Sequence, residues 1–302
     1  MDKKFHWIPL LFLLTLVSCR SGRDWVSLQP GGKVASISYA KAKASGYKGV
    51  KRIRHYEFTH PDVPPAFDGC RIAFISDLHY KSLLKEEGLD DLIRLLNRLR
   101  PDALLIGGDL HEGCEYVSPL LDALARVETT LGTYAVLGNN DYAACYEEIA
   151  ESMRQNGIRL LEQRTDTLRK GTDRILVAGV RNPFDLKRNG QSPTLALAEQ
   201  DFVILLTHTP DYAEDVPNPH ADLILAGHTH GGQVTLFGYA PVIPSHYGQR
   251  FRTGLKYTSQ HIPVIITNGI GTSRIAFRMG APSEVVMITL RQAPPAPGSP
   301  AR

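Results

Sequence analysis

The strongest constraint on this chain is a unit that recurs along it: a short apolar run, a polar turn, and a segment with helical periodicity. The apolar runs at 71–75, 103–106 and 134–137 end in Ser76-Asp77-Leu78-His79, Gly107-Gly108-Asp109 and Gly138-Asn139-Asn140-Asp141. Helical segments follow at 89–99, 118–127 and 146–156. Buried strands that alternate with helices predict an α/β fold, in which ligands bind at the carboxyl ends of the strands.

Later apolar runs follow the same rule. The run 202–206 leads into Thr207-His208, and 223–226 leads into Gly227-His228-Thr229-His230. Strands are also predicted at 51–59, 174–180, 233–237, 264–267 and 284–290. We therefore expect a folded domain at residues 51–291, with a disordered Pro/Ala-rich tail at 292–302.

The polar strand ends supply a set of metal donors: Asp77, His79, Asp109, Asn139, His208, His228 and His230. Alternate residues of an extended segment point the same way, so Asp-x-His and His-x-His each direct two ligands to one place. Their oxygen and nitrogen donors suit divalent Mn, Fe or Zn. One such motif alone is a weak signal, but five in order at strand ends predict a metal centre.

The N-terminus predicts an association with a membrane. A basic start and an apolar run at 8–17 resemble a signal peptide, and Leu16-Val17-Ser18-Cys19 resembles a bacterial lipobox. Residues 1–19 are thus interpreted as a signal peptide with a lipidated Cys19; the alternative is an uncleaved hydrophobic anchor. Residues 20–50 read as a basic linker, whose positive charge favours a cytoplasmic or anionic membrane surface.

Composition excludes little else. The formal net charge of +3 over 302 residues gives no reason to expect a nucleic-acid partner. Cys114 and Cys145 follow the second and third motifs, where they are either a disulfide or two free thiols. The oligomeric state is left open.

As a set, the motifs resemble those of the calcineurin-like metallophosphoesterases. The matching stretches are Asp77-Leu78-His79, Gly107-Gly108-Asp109, Gly138-Asn139-Asn140-Asp141, Thr207-His208 and Gly227-His228-Thr229-His230. Pro65 to Gly69, Gly231-Gly232-Gln233 and Gly269 to Ser273 are similar to the membrane-associated bacterial subgroup. The resemblance implies a four-layer sandwich of two mixed β-sheets flanked by helices.

It also implies two divalent metal ions. One would bind Asp77, His79 and His230, the other Asn139, His208 and His228, and Asp109 would bridge them. Asp109, Asn140 and Asp141 are the candidate catalytic residues. A hydroxide held between the ions would attack phosphorus.

The chain departs from the family at Asn140, where a histidine usually assists the leaving oxygen. An amide donates a hydrogen bond but delivers no proton at neutral pH. We therefore expect a preference for phosphoanhydrides or activated esters. His111 could act as the acid instead, or could be a solvent-facing loop residue.

These observations predict a membrane-anchored phosphohydrolase that cleaves phosphodiester or diphosphate bonds of a small-molecule or lipid substrate. The expected location is a bacterial cell membrane, on its exported or cytoplasmic face. One alternative is an enzyme like the UDP-2,3-diacylglucosamine pyrophosphohydrolases of lipid A synthesis. Another is an inactive binding module that retains the fold. Residues 181–200 and 245–257 are expected to shape the pocket, where Arg250 and Arg252 either hold a phosphate or are surface charges.

Overall fold

A computed structural model of the chain describes residues 22–28, 33–186 and 190–293. The strands are β1 (Gly22–Leu28), β2 (Lys33–Lys43), β3 (Arg52–His60), β4 (Arg71–Ile75), β5 (Ala103–Ile106), β6 (Gly132–Ala135), β7 (Ile158–Leu160), β8 (Arg164–Lys170), β9 (Asp173–Gly179), β10 (Val203–Thr207), β11 (Leu223–Ala226), β12 (Gly254–Tyr257), β13 (Pro263–Ile266) and β14 (Glu284–Gln292). The helices are α1 (Glu86–Leu99), α2 (Val117–Leu124), α3 (Asn139–Ala143), α4 (Tyr146–Gln155) and α5 (Pro210–Asp215). Helix α1 ends at Leu99 because Arg100 adopts a left-handed backbone and Pro101 follows.

The strands form two mixed sheets. The first has the order β1-β2-β3-β14-β4-β5-β6-β7, and the second has the order β12-β13-β11-β10-β9-β8. Strands β4 to β7 are parallel to one another, as are β9, β10, β11 and β13. The parallel strands of each sheet therefore direct the turns that follow them to one edge of that sheet.

Three apolar clusters define four layers. One cluster joins α1, α2 and α4 to one face of the first sheet, through residues such as Leu92, Leu121 and Ile106. A second fills the space between the sheets, where Phe74 and Ile204 are fully buried. The third packs α5 on the outer face of the second sheet. The predicted sandwich of two mixed sheets flanked by helices is confirmed.

The segment expected to be a linker differs from that expectation. Residues 22–28 and 33–43 form β1 and β2, and β2 pairs along its length with β3 from Ser36–Thr59 to Lys43–Arg52. Ile37 is buried against the inter-sheet core. Ile37 and Tyr39 alternate with serines in β2, but the Gly, Ser and Lys residues of the surrounding segment 20–50 led to its interpretation as a linker.

Other boundaries were predicted less closely. Residues 233–237 form isolated bridges through Val234 and Leu236 instead of a strand. β14 extends to Gln292, one residue beyond the expected domain end. The signal peptide, the lipobox and most of the tail lie outside the described residues. Among the residues that are described, no helix has the length and apolar character needed to cross a bilayer.

Cys114 and Cys145 form a disulfide, with their Cα atoms 5.4 Å apart. Cys114 begins the short turn before α2, and Cys145 immediately precedes α4. The bond ties the loop after β5 to the start of α4, in the segment that follows β6; β5 and β6 are neighbouring strands. Of the two alternatives left open by the sequence, the structure has the paired one.

Candidate metal centre

The polar strand ends converge at one edge of the two sheets. Residues 76–79 follow β4, Asp109 follows β5, Asn139 follows β6, His208 follows β10, and residues 228–230 follow β11. The first three belong to one sheet and the last two to the other. The predicted site therefore lies across the edges of both sheets.

Five candidate ligands have left-handed backbone, with φ between 38° and 67°: Asp77, His79, Asp109, His228 and His230. This region is uncommon outside glycine, although Asp and His tolerate it better than most residues. Such conformations cluster at functional sites because surrounding structure enforces them. Two glycines permit the close approach: a side chain at Gly108 would overlap the backbone of Gly138, and one at Gly227 would overlap Ser76 and Asp77.

Asp77, His79 and His230 form one cluster, with ligand atoms that all lie within 4.8 Å of one another. His230 Nε2 lies 3.4 Å from Asp77 Oδ1. The Asp77 carboxylate also accepts the backbone N–H of His228 at 3.0 Å. This hydrogen bond holds the β4 and β11 loops together.

Asp109, His208 and His228 form a second cluster within the same limit. His208 Nε2 lies 3.1 Å from His228 Nδ1 and 3.4 Å from Asp109 Oδ2. The same Asp109 oxygen is 3.4 Å from His79 Nε2 of the first cluster. One carboxylate oxygen therefore contacts both clusters, as a bridging ligand would.

The rings of His79 and His208 are each held in orientation by a contact at Nδ1. His208 Nδ1 lies 2.7 Å from the Gly107 carbonyl, and His79 Nδ1 lies 2.6 Å from Glu112 Oε1. A ring nitrogen that donates to such a partner leaves the other one free to bind a metal. His79 Nε2 is buried without a hydrogen-bond partner and faces Asp109. The donor set thus fits two divalent cations.

Asp109 is the acidic group that most raises the pKa values of His79 and His208. Burial lowers the pKa of His79, but the contacts with Asp109 and Glu112 outweigh it and raise that pKa to about 10. Burial also lowers the pKa of His208, but the contact with Asp109 outweighs this effect and raises that pKa to about 9. At Asp109 itself burial opposes ionisation, yet His208 and His79 hold its pKa well below the usual value. A metal that binds here displaces protons from these imidazoles.

The surroundings of His228 and His230 favour the neutral imidazole. Burial and then the charge of His208 lower the pKa of His228 to about 3. Burial, followed by the charges of His79 and Arg278, lowers the pKa of His230 well below its usual value. Neutral imidazole is the form that coordinates a metal.

Asn139 and Asn140 begin α3 beside these clusters. The backbone N–H of Asn140 donates to Asp109 Oδ1 at 3.0 Å, and its side-chain amide lies 3.3 Å from His79 Nδ1. Asn139 is exposed and donates its amide to Asn140 Oδ1 at 2.9 Å. Asn140 therefore lies at the open side of the centre, whereas the Asn139 side chain is directed toward its neighbour.

Asp141 has a different position from the one expected of a catalytic residue. It is fully buried and accepts the backbone N–H groups of Asp109, Leu110 and Gly138 at 2.8–2.9 Å. Burial, and then the charge of Asp109, raise its pKa to about 6. Asp141 holds the Asp109 loop in place from behind, so we assign it a positioning role and correct the expectation of direct catalysis.

Sequence reasoning missed three residues at the centre. Glu112 orients His79, Arg278 donates to the His230 carbonyl at 3.1 Å, and the Phe184 ring lies 5.0 Å from the His228 ring. No motif marks them, because their roles arise only from loops brought together by the fold. His111 is buried, with Nε2 3.9 Å from Asp141, so the expectation that it faces solvent is wrong.

Arg250 and Arg252, the arginines expected to shape the pocket, make different contacts. Arg250 pairs with Glu214 at 2.8 Å and stacks on Tyr247 and Phe251. Arg252 instead lines a separate cavity, which does not include the candidate ligands.

The comparison with protein families agrees with this geometry. A family model described as calcineurin-like phosphoesterase matches residues 70–232, more than half of the chain. The chain belongs to the calcineurin-like phosphoesterases. As a member of this family it is a metal-dependent hydrolase of phosphoric esters, and its candidate ligands form the two clusters described above.

Individual relatives match a larger share of the chain than the family model does. The chain is 28% identical to the uncharacterised metallophosphoesterase YkuE of Bacillus subtilis, over 76% of this chain and 82% of the relative. It is 27% identical to an uncharacterised metallophosphoesterase of Aquifex aeolicus, over 80% of this chain and 92% of the relative. It is also 30% identical to a transmembrane protein with a metallophosphoesterase domain from Danio rerio, of which it spans 55%.

Proposed function

We propose that this calcineurin-like phosphoesterase is a membrane-anchored, two-metal enzyme that cleaves phosphodiester or diphosphate bonds. The observation that carries the proposal is the position of Asp109 Oδ2, 3.4 Å from both His79 Nε2 and His208 Nε2. A carboxylate shared between two donor clusters is the arrangement that a dinuclear centre requires.

The side chains have distinct tasks in this proposal. Asp77, His79 and His230 would hold one ion, and His208 and His228 would hold the other, with Asn139 as its third expected ligand; Asp109 lies against both clusters. Divalent ions supply charge for the phosphoryl oxygens and an activated water as nucleophile. Glu112 and the Gly107 carbonyl fix the His79 and His208 rings, and Asp141 fixes the loop that carries Asp109. Asn140 donates a hydrogen bond to the leaving oxygen.

A lipid-linked phosphate is the substrate class that the surface favours. Leu236, Phe237 and Tyr239 are exposed on the loop that follows the His230–Gly232 turn. Ile275 and Phe277 are exposed on the adjoining segment, which bonds to that loop through Thr235 N–H and the Met279 carbonyl at 2.8 Å. Exposed apolar patches of this kind occur where proteins meet membranes or apolar ligands.

The disulfide supports an exported location. Disulfides such as Cys114–Cys145 persist in oxidising compartments and are rare in the cytoplasm. The UDP-2,3-diacylglucosamine alternative requires a cytoplasmic nucleotide sugar, so the disulfide favours the exported enzyme over it. The lipobox ending at Cys19 is consistent with this location and remains a prediction.

The anchor is tested at Cys19. We expect the mature protein to begin at a lipid-modified Cys19, and Cys19→Ser to shift most of the protein out of the membrane fraction, since the lipid anchor is lost. Mass spectrometry of the N-terminal peptide and membrane fractionation measure both. Recovery of an intact Met1 would revive the cytoplasmic alternative.

The activity is tested by metal analysis together with a substrate panel of monoesters, diesters and diphosphates. We expect two divalent ions per chain and faster turnover of substrates with good leaving groups. Asn140→His should raise the turnover of alkyl phosphodiesters by about 100-fold, the lower end of what a general acid contributes. Diphosphates and aryl esters should change little. Equal effects on all substrates would show that Asn140 does not set the preference.

The same panel distinguishes an inactive binding module. Asn140 is the feature that favours this alternative, because it lacks the proton that the usual histidine provides. A chain that binds two metals but hydrolyses none of the panel, even as Asn140→His, would support the binding module over the enzyme.

A further inference from the structure

A second polar cavity, of about 350 Å³, lies between the edges of the two sheets. It is bounded by β2 and β3 of the first sheet and by β12 of the second. Its lining residues are Tyr39, Lys41, Arg52, Arg54, Tyr56, Arg252, Thr253, Gly254, Leu255, Asn268 and Gly280. None of the candidate metal ligands is among them, so the cavity is a separate site.

The cavity concentrates positive charge. Lys41 on β2 lies directly opposite Arg54 on β3, and Arg52 is two residues further along the same face. Like charges placed opposite one another across antiparallel strands destabilise a sheet. Arg252 adds a fourth cation from the second sheet's side of the cavity.

Among the described residues, Glu284 is the carboxylate that pairs with cations of this group. Glu284 is fully buried and pairs with Arg52 and with Arg54, the latter at 3.1 Å. Lys41 and Arg252 have no carboxylate partner among the residues that the structure describes. The cavity therefore retains an excess of positive charge that Glu284 does not balance.

Arg54, in the wall of the cavity, is held in a fixed orientation by hydrogen bonds. Arg54 is 5% exposed and donates to Tyr56 Oη at 3.3 Å and to Thr253 Oγ1 at 3.2 Å. Gly254 has φ +78°, and a Cβ there would lie 2.5 Å from Arg54 Nη1. The absence of a side chain at 254 thus gives the guanidinium access to the cavity.

We propose that this cavity binds a phosphate-bearing anion independently of the metal centre. Guanidinium groups match phosphate geometry in two-pronged hydrogen bonds, and the hydroxyls of Tyr39 and Tyr56 in the lining offer neutral donors. The volume accommodates a phosphate with a small attached group. The phosphate could belong to a lipid headgroup or to a soluble phosphate ester.

Electrostatics agree with the need for an anion. Burial, followed by the charges of Arg54 and Arg52, lowers the pKa of both Lys41 and Arg252. A bound phosphate would reverse the effect of these neighbouring cations.

Lys41 is the residue with which to test the site, because it is exposed at the mouth of the cavity and its removal leaves the core intact. Arg252 is less suitable, since it donates to the Gly231 carbonyl beside the metal centre at 3.0 Å. Lys43 is the matched control: it lies on the same strand two residues away, opposite Arg52, but outside the cavity lining.

The experiment is calorimetric titration of the metal-loaded full chain with inorganic phosphate and, separately, with soluble dioctanoyl phosphatidic acid at constant ionic strength. We expect Lys41→Gln to weaken one class of binding by roughly 10-fold, the size of one charge-assisted contact, and Lys41→Glu to abolish it. Lys43→Gln and Lys43→Glu should have little effect. Turnover of a soluble aryl phosphodiester should be unchanged in all four variants.

The two ligands identify the source of the phosphate. Weakening of both indicates recognition of the phosphate group itself, and weakening of the lipid alone indicates a headgroup site. If Lys41→Glu leaves both isotherms unchanged, or if the Lys43 variants weaken binding equally, the cavity site does not exist. Because the metal centre is the same in all variants, this failure would leave the proposed hydrolase unaffected.

Discussion

Replacing Asp109 with alanine is expected to lower hydrolysis by roughly 10³-fold or more, given that loss of an outer partner alone typically costs about 10–100-fold in metal affinity or activity. The reason is geometric: Asp109 Oδ2 contacts His79 of one cluster and His208 of the other. Its removal also takes away the charge that balances both imidazoles. Metal content per chain and turnover of an aryl phosphodiester measure the two effects.

A second variant separates chemistry from backbone strain. Asp109 has φ +53°, where alanine is strained but asparagine is tolerated. Asp109→Asn keeps the shape and removes the charge, so it should lose activity nearly as fully as Asp109→Ala while melting at a higher temperature. Asp90→Ala, at an exposed aspartate paired with Arg126, is the control for nonspecific loss of a carboxylate. Two bound metals and near-normal turnover in Asp109→Asn would refute a bridging role.

Most of the centre could be predicted from the sequence because its candidate ligands lie in the polar turns that follow apolar strands. β4, β5, β10 and β11 are almost entirely buried, so each appears as a continuous apolar run that ends at a conspicuous polar turn. Asp77, Asp109, His208 and the 228–230 pair were identified from those turns. Nothing about their left-handed backbone was predictable, because it depends on contacts between loops distant in sequence.

Supporting residues escaped the same reasoning for a physical reason. Glu112 contacts the ring of His79, and Arg278 contacts both the carbonyl and the ring of His230; no local sequence pattern encodes these contacts. Asp141 lay within a recognised motif, yet its role is set by three backbone N–H groups that only the folded loops bring to it.

Edge strands were the main omission in the fold. β8 is mostly polar and half exposed, and β12 is short, so neither shows a clear hydrophobic period. The basic cavity is lined by such strands. β2 and β12 each lie toward one edge of a different sheet, and they face one another across the cavity. A charged strand that reads as a linker in sequence thus became the wall of a candidate binding site.

Removal of the Cys114–Cys145 bond is expected to destabilise the protein by about 3–4 kcal/mol, the chain-entropy value for a loop of this length. The bond spans 31 residues, a stretch that includes β6 and Asp109's neighbour Gly138. Cys114→Ser with Cys145→Ser should show the loss in urea unfolding. Wild-type protein treated with reductant should lose a similar amount, and the double variant should not respond to reductant.

The effect on function should be smaller than the effect on stability. Neither cysteine belongs to the two donor clusters, and the candidate ligands are held by their own hydrogen bonds to Glu112, Gly107 and Asp141. Below its melting temperature the double variant should therefore keep its two metals and most of its turnover. If reductant leaves the wild-type unfolding curve unchanged, and thiol labelling of protein taken from cells finds both cysteines free, the chain does not mature in an oxidising compartment. The exported location would then lose its structural support, and the cytoplasmic diphosphate substrate would become the better alternative.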